Sequence, residues 1–145
     1  MREISRNARV PYSCEEMFRL VDDVPAYPDF LPWCGSAIVH SRTVDSVTAS
    51  LEVVKGPVSK SFTTRNRFDP ARRIDIELLD GPFRELAGHW VFDPNDSGGC
   101  RVSFDIHFEF SNPLFEMVFG PVFEETCRSL VDAFCERAEK VYGRR

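Results

Sequence analysis

The sequence contains no long uninterrupted run of apolar residues. No segment approaches the roughly 18 apolar residues that a bilayer-spanning helix needs, so we expect no transmembrane helix. The opening segment MREISRNARVPYS also has no apolar stretch of the kind found in secretory signals. The compartment expected from these absences is the cytoplasm.

Metal-binding and catalytic signatures are missing as well. No CxxC pair, P-loop, G-x-S-x-G or H-E-x-x-H motif occurs, and no Cys/His pair has the spacing of zinc ligands. The cysteines are odd in number and widely spaced, which is typical of small buried side chains rather than of a disulfide framework; they are Cys14, Cys34, Cys100, Cys127 and Cys135. We therefore predict no metal site, no required cofactor and no enzymatic activity.

The chain also lacks the basic excess of a general nucleic-acid binder. Lys and Arg total 18 and Asp and Glu total 23, which gives a formal charge of −5. What it does have is aromatic surface, with 13 Phe, 2 Trp and 3 Tyr in 145 residues. So much aromatic surface excludes a disordered chain, and the length predicts one domain over residues 1–145.

The first thirty residues predict one strand and two short helices. Apolar residues alternate over Glu3 to Val10, which indicates a strand. Ser13 and Glu16 have the spacing of a capping box, which predicts a helix from Cys14 to Val21. Pro25 suits the first turn of a second short helix over Ala26–Leu31.

From Ser36 to Phe110 the apolar residues recur at every second position, which indicates antiparallel strands with one buried face. The clearest strand is Cys100–Phe110, where apolar and polar residues alternate throughout. Gly, Pro, Asn and Asp clusters separate the apolar runs, and we count six strands in this region.

The C-terminal part predicts one long helix. Ser111 or Asn112 can cap it, Pro113 suits its first turn, and Gly143 can end it. Pro121 should kink or break it. The predicted fold is therefore α+β: a curved seven-stranded antiparallel sheet around a long helix, with a space between them.

The order of elements resembles the helix-grip fold of START lipid-transfer domains, birch-pollen-allergen-like proteins and polyketide cyclases. The residues that carry the resemblance run through the whole chain; they are VPYS at 10–13, VPAYPDFLPWC at 24–34, SKSFTTRN at 59–66, DGPF at 80–83 with Trp90 downstream, and FEF at 108–110 before Asn112. Within this fold, the chain most resembles the group of coenzyme Q-binding START proteins and ribosome association toxins.

The resemblance implies two functions. One is non-catalytic binding of a hydrophobic ligand, ubiquinone or another lipid, between the sheet and the helix in support of respiration. The other is that of a toxin that binds the large ribosomal subunit and blocks subunit association in translation initiation. The two functions are compatible, because a ligand cavity could regulate a ribosome contact.

A set of inward-facing residues could line an apolar cavity, although each could equally be core filler. Thr64 and Asn66 share the parity of Phe62, so they could donate hydrogen bonds to a quinone carbonyl. Gly88 would leave room on the inner face. The predicted cavity residues are Phe30, Trp33, Phe62, Thr64, Asn66, Gly88, Trp90, Phe92, Phe104, Phe108 and Phe119.

The proline-rich segment YPDFLPWC allows two interpretations. Its three prolines, counting Pro25 just before it, stiffen the chain. It could form a lid, or a peripheral contact with membrane or partner through Tyr27, Phe30, Leu31 and Trp33. It could equally be a structural corner.

Residues 59–73 form a basic stretch in an acidic chain. The cations are Lys60, Arg65, Arg67, Arg72 and Arg73, against the single acid Asp69. This stretch could meet ribosomal RNA or anionic lipid through counterion release. The alternative is a solvated strand face.

Overall fold

The alternating apolar pattern builds one sheet of seven strands in the computed structural model, which describes residues 1–145. Every neighbouring pair is antiparallel, and the spatial order is β1-β7-β6-β5-β4-β3-β2. This order confirms the predicted sheet. The strands are β1 Arg2–Val10, β2 Cys34–Arg42, β3 Ser46–Lys55, β4 Val58–Asp69, β5 Arg73–Asp80, β6 Phe83–Pro94 and β7 Cys100–Phe110.

Strand β7 shows why the sheet has one dry face. Val102, Phe104, Ile106 and Phe108 are all buried, while the residues between them are exposed or half-buried. Register shifts interrupt the ladders in β2, β4 and β6. Such irregularities bend strands, so they help the sheet to curve around the helix.

Two short helical elements connect β1 to β2 across the open end of the sheet. Helix α1 spans Cys14–Asp22 and has the predicted capping box, since Ser13 and Glu16 each accept the other's backbone N–H. A 3₁₀ turn over Val24–Ala26 then leads into α2, Tyr27–Phe30. The second helix is shorter than predicted, because Leu31 precedes Pro32 and takes an extended conformation.

The long helix α3 spans Pro113–Tyr142. The Asn112 side chain accepts the Phe115 N–H at 2.8 Å, and Gly143 ends the helix at φ 83°. Of the kink or break predicted at Pro121, the break is wrong, because the helix continues through it, and the kink stays a prediction. Phe119 and Phe123 on either side are buried against the sheet, whereas Pro121 is exposed, so packing holds both turns in place.

Both halves of α3 are tied to the N-terminal part of the chain. In its first half, the Arg2 guanidinium donates to Glu124 at 2.5 Å. At its end, the Tyr12 hydroxyl donates to the Gly143 carbonyl at 2.7 Å, and the Tyr142 hydroxyl donates to the Glu16 carbonyl at 3.0 Å. None of the helices combines the length and hydropathy needed to cross a membrane.

Candidate functional site

An apolar cavity lies between the inner face of the sheet and α3. Its volume is about 80 Å³, and 18 of its 21 lining residues are hydrophobic. The lining residues are Val21, Val24, Tyr27, Trp33, Ala49, Leu51, Val53, Phe62, Thr64, Asn66, Ile74, Ile76, Leu86, Trp90, Phe104, Ile106, Phe123, Thr126, Cys127, Leu130 and Phe134.

No charged side chain lines this cavity. The two titratable groups in it, Tyr27 and Cys127, are both held neutral, because burial raises the pKa of the Tyr27 hydroxyl and of the Cys127 thiol well above their ordinary values. The Tyr27 hydroxyl already donates a hydrogen bond to the Val21 carbonyl, so its proton is not free for a ligand. The cavity therefore offers no anion or cation to a bound molecule.

Thr64 and Asn66 form a small polar site on the β4 side of the cavity. The Thr64 hydroxyl donates to the Asn66 side-chain oxygen at 3.0 Å. The amide nitrogen of Asn66 is then the group of this pair that can donate to a ligand. Strand parity allowed both side chains to face inward, with surface positions as the alternative, and both line the cavity.

Trp33 forms part of the cavity wall at the β3–β4 end. Its carbonyl accepts the Val54 N–H at 2.7 Å, which fixes the backbone against β3. Its indole nitrogen Nε1 is buried and has no hydrogen-bond partner in the protein. An unpaired buried donor of this kind costs about 1–3 kcal/mol.

Six of the eleven residues predicted for the cavity line it, and for each of them ligand contact stays a prediction. They are Trp33, Phe62, Thr64, Asn66, Trp90 and Phe104. Four predicted aromatic residues instead fill the core around it. Phe30 packs edge-on against Phe134, and Phe92 packs edge-on against Phe18. Phe108 and Phe119 both pack on Phe123.

Gly88 was predicted to leave room in the cavity, but the structure gives this glycine a different role. A Cβ atom built at this position would lie 2.5 Å from the Asp105 carbonyl oxygen of β7. The glycine therefore permits close approach of two strand backbones and adds no room to the cavity.

The α3 side of the cavity was missed as a site, although its signal was in the sequence. The helical spacing of Cys127, Leu130 and Phe134 predicted the buried face of α3, and these residues line the cavity together with Phe123 and Thr126. Adding the inward residues of the strands to this helical face would have found most of the wall.

In the proline-rich segment, two of the four residues predicted to contact a membrane or partner are buried. Tyr27 is 8% exposed and Leu31 1%, so neither can touch a surface outside the protein. Phe30 and Trp33 are half-buried. More exposed apolar side chains lie elsewhere, among them Val44 between β2 and β3, which is 92% exposed, and Leu114 and Met117 at the start of α3, which are 67% and 71% exposed.

The predicted basic stretch does not form one basic face. Lys60 lies beside α3, with its ammonium group 4.5 Å from the Phe115 ring centroid. Arg65 and Arg67 are on the outer face of β4, opposite Glu77 and Asp75 of β5 in the strand register.

Acids on β5 pair with Arg65 and Arg73. The Arg65 guanidinium lies 3.9 Å from the Glu77 carboxylate, and Arg73 donates to Asp75 at 2.9 Å. Arg72 is exposed in the β4–β5 turn. The outer face therefore carries alternating charge, and the local excess of +4 counted along the chain is offset across the strands.

A curved antiparallel sheet closed by one long helix, with an apolar cavity between them, defines a helix-grip protein of the START type. A START superfamily protein from Mycobacterium smegmatis has this fold, with a TM-score of 0.79 and 21% identity. The match covers 96% of this chain and 98% of that chain, and at this identity it concerns the fold alone.

The chain belongs to the polyketide cyclase/dehydrase and lipid transport family, which matches residues 10–135. It is 46% identical to the ribosome association toxin RatA of Escherichia coli K12 over 145 residues, which cover all of this chain and 92% of that protein. It is 32% identical to the mitochondrial coenzyme Q-binding protein COQ10 homolog B of Xenopus laevis over 146 residues, covering 98% of this chain and 60% of the relative. The resemblance drawn from the sequence is thereby confirmed.

The family description names cyclases and dehydrases beside lipid transport. Membership therefore does not decide whether this chain is an enzyme. The two relatives carry names that refer to binding or to toxicity rather than to a reaction.

Proposed function

We propose that this protein binds a hydrophobic small molecule, a quinone or another lipid, in the cavity between the sheet and α3, without a catalytic step or a required cofactor. The observation that carries the proposal is the lining itself, which is almost entirely hydrophobic and contains no charged side chain. Apolar pockets with a few placed polar groups are typical of small-molecule sites.

Ubiquinone is the ligand that we propose first. A quinone has a flat ring with carbonyl oxygens and an apolar tail. The Asn66 amide could donate to such an oxygen, and aromatic side chains such as Trp90 and Phe104 could pack on the ring or tail. The relative named as coenzyme Q-binding supports this choice. If ubiquinone is the ligand, the biological role that we propose is delivery of the quinone in respiration.

The absence of charge also supports a non-catalytic role. Acid–base catalysis needs a group whose pKa lies near the working pH. Tyr27 and Cys127 are the titratable groups in the cavity wall, and burial raises the pKa of both further from neutrality.

A substitution that fills the cavity tests this proposal. Ala49 is buried on the inner side of β3 and lines the cavity, so Ala49→Leu adds three carbon atoms to the space for a ligand. We expect it to weaken binding of a short-chain ubiquinone by about 10-fold, which corresponds to about 1.4 kcal/mol. Isothermal titration calorimetry measures the change.

Thr48→Leu is the matched control, because Thr48 is the preceding residue on the same strand and points to the outer face. It should leave quinone affinity unchanged. Equal affinities for wild type and Ala49→Leu, with both proteins folded, would contradict binding in this cavity.

A second candidate function is association with the large ribosomal subunit. The observation that favours it is the 46% identity over the entire chain to a protein named as a ribosome association toxin. The arginines on β4 are the candidate contact. Arg67 is exposed, and ribosomal RNA could compete with Asp75 and Glu77 for these guanidinium groups.

Charge reversal on β4 tests the ribosome contact. Arg65→Glu with Arg67→Glu should abolish co-sedimentation with large subunits on a sucrose gradient, whereas wild-type binding should weaken as salt rises. The matched control, Arg6→Glu with Arg9→Glu on edge strand β1, changes the net charge by the same amount at exposed positions. Loss of binding in both variants would indicate a general charge effect, and unchanged binding in the β4 variant would refute this contact.

A further inference from the structure

Trp33 separates the cavity from a groove on the protein surface. The groove lies between the β3–β4 hairpin and α3, where Lys55 and Gly56 face Val122 and Glu125. Trp33 and Thr126 line both the groove and the interior cavity. These two side chains therefore form the wall through which the groove and the cavity adjoin.

The indole N–H of Trp33 is the one buried side-chain polar atom in the protein with no hydrogen-bond partner. Buried donors in folded proteins are nearly always paired, so a single exception in a cavity wall calls for an explanation. A molecule bound in the cavity could supply the missing acceptor.

The charge of the cavity restricts what that acceptor can be. An ionised carboxylate needs a cation or several donors to offset its loss of water, and the cavity wall contains no Lys, Arg or His. Lys55 lines the groove but not the cavity, so an acceptor held inside the cavity is neutral, such as the oxygen of a ketone, quinone or ester.

We infer that the cavity selects apolar molecules with a neutral oxygen acceptor, and that the acceptor binds the Trp33 indole N–H at the groove end of the cavity. The apolar remainder of the molecule extends inward toward Trp90, Phe104 and Phe134. This inference rests on the proposed function and adds to it the ligand class and the ligand's orientation. Free fatty acids and plain hydrocarbons are the disfavoured ligands.

The test compares wild type with Trp33→Phe, which keeps an aromatic ring and removes the N–H. The probes are ubiquinone with two isoprene units, the hydrocarbon farnesene and the fatty acid decanoate, each titrated by calorimetry. Trp33→Phe should weaken quinone binding by about 5-fold, the effect of one neutral hydrogen bond, and should leave farnesene affinity unchanged. Wild type should bind the quinone more tightly than decanoate.

Other results would overturn the inference. An equal loss of quinone and farnesene affinity would mean that Trp33 acts by packing alone, and tighter binding of decanoate would refute the neutral acceptor. If wild type binds neither quinone nor farnesene, the proposed function fails and this inference fails with it. If it binds both, and Trp33→Phe alters neither affinity, only the inference fails.

A measurement on the wild-type protein covers the case in which Trp33→Phe does not fold. The chain has two tryptophans, so its ¹H–¹⁵N spectrum contains two indole resonances. Quinone should move the Trp33 indole proton downfield, as expected for a new hydrogen bond, whereas farnesene should not. No such shift with bound quinone would overturn the inference.

Discussion

At the scale of single residues, strand parity predicted the polar groups of the cavity better than it predicted the aromatic ones. Thr64 and Asn66 both face inward on β4, which is one of the two orientations that the sequence left open. Phe92 and Phe108 also face inward but contact other aromatic rings instead of the cavity. Parity gives the face of a strand, whereas the boundary between core and cavity depends on how α3 packs on that face.

Glu16 is the residue whose charge most directly links the N-terminal and C-terminal segments. Its carboxylate accepts hydrogen bonds from the Arg145 guanidinium at 2.6 and 2.8 Å and from the Ser13 N–H at 2.9 Å. These bonds, that from Arg145 above all, lower the pKa of Glu16 from 4.5 to about 2.

This pKa predicts how stability depends on pH. Because the folded-state pKa is depressed, the stabilisation by ionised Glu16 is complete above the unfolded-state pKa and is lost as pH falls from about 4.5 to about 2. Glu16→Gln should lower the free energy of unfolding by about 1 kcal/mol at pH 7. Chemical denaturation at several pH values measures the difference from wild type, which should shrink below pH 4.5. A difference that stays constant down to pH 2 would contradict this role.

At the scale of elements, local patterns predicted what depends on local chemistry. The capping box of α1, the Asn112 cap and the apolar alternation of β7 are all present as expected. Of the kink or break predicted at Pro121, the break was wrong because a local penalty was outweighed by tertiary packing. Burial of Phe119 and Phe123 on either side of Pro121 holds the helix continuous across it.

The basic stretch shows what a count of charges along the sequence cannot predict. Counted along the chain, residues 59–73 are strongly positive. The antiparallel register then places Glu77 opposite Arg65 and Asp75 opposite Arg67. Charges that are distant in sequence become neighbours only once strand pairing is known, so a linear count could not predict a mixed-charge face.

At the scale of the whole molecule, the cavity follows from the combination of a curved sheet and a single covering helix. The element order alone predicted a space between them. The unpaired Trp33 indole and the surface groove beside it could not be predicted, because they depend on how the β3–β4 hairpin meets the middle of α3.

The most direct test of ligand binding in this cavity is the intact mass of the protein purified under native conditions from its own host. We predict a stoichiometric adduct by native mass spectrometry that solvent extraction releases as a neutral quinone or lipid. The same adduct should be reduced in Ala49→Leu and retained by Thr48→Leu. A bare chain that also fails to bind added quinone would contradict the account and would leave ribosome association as the function to test.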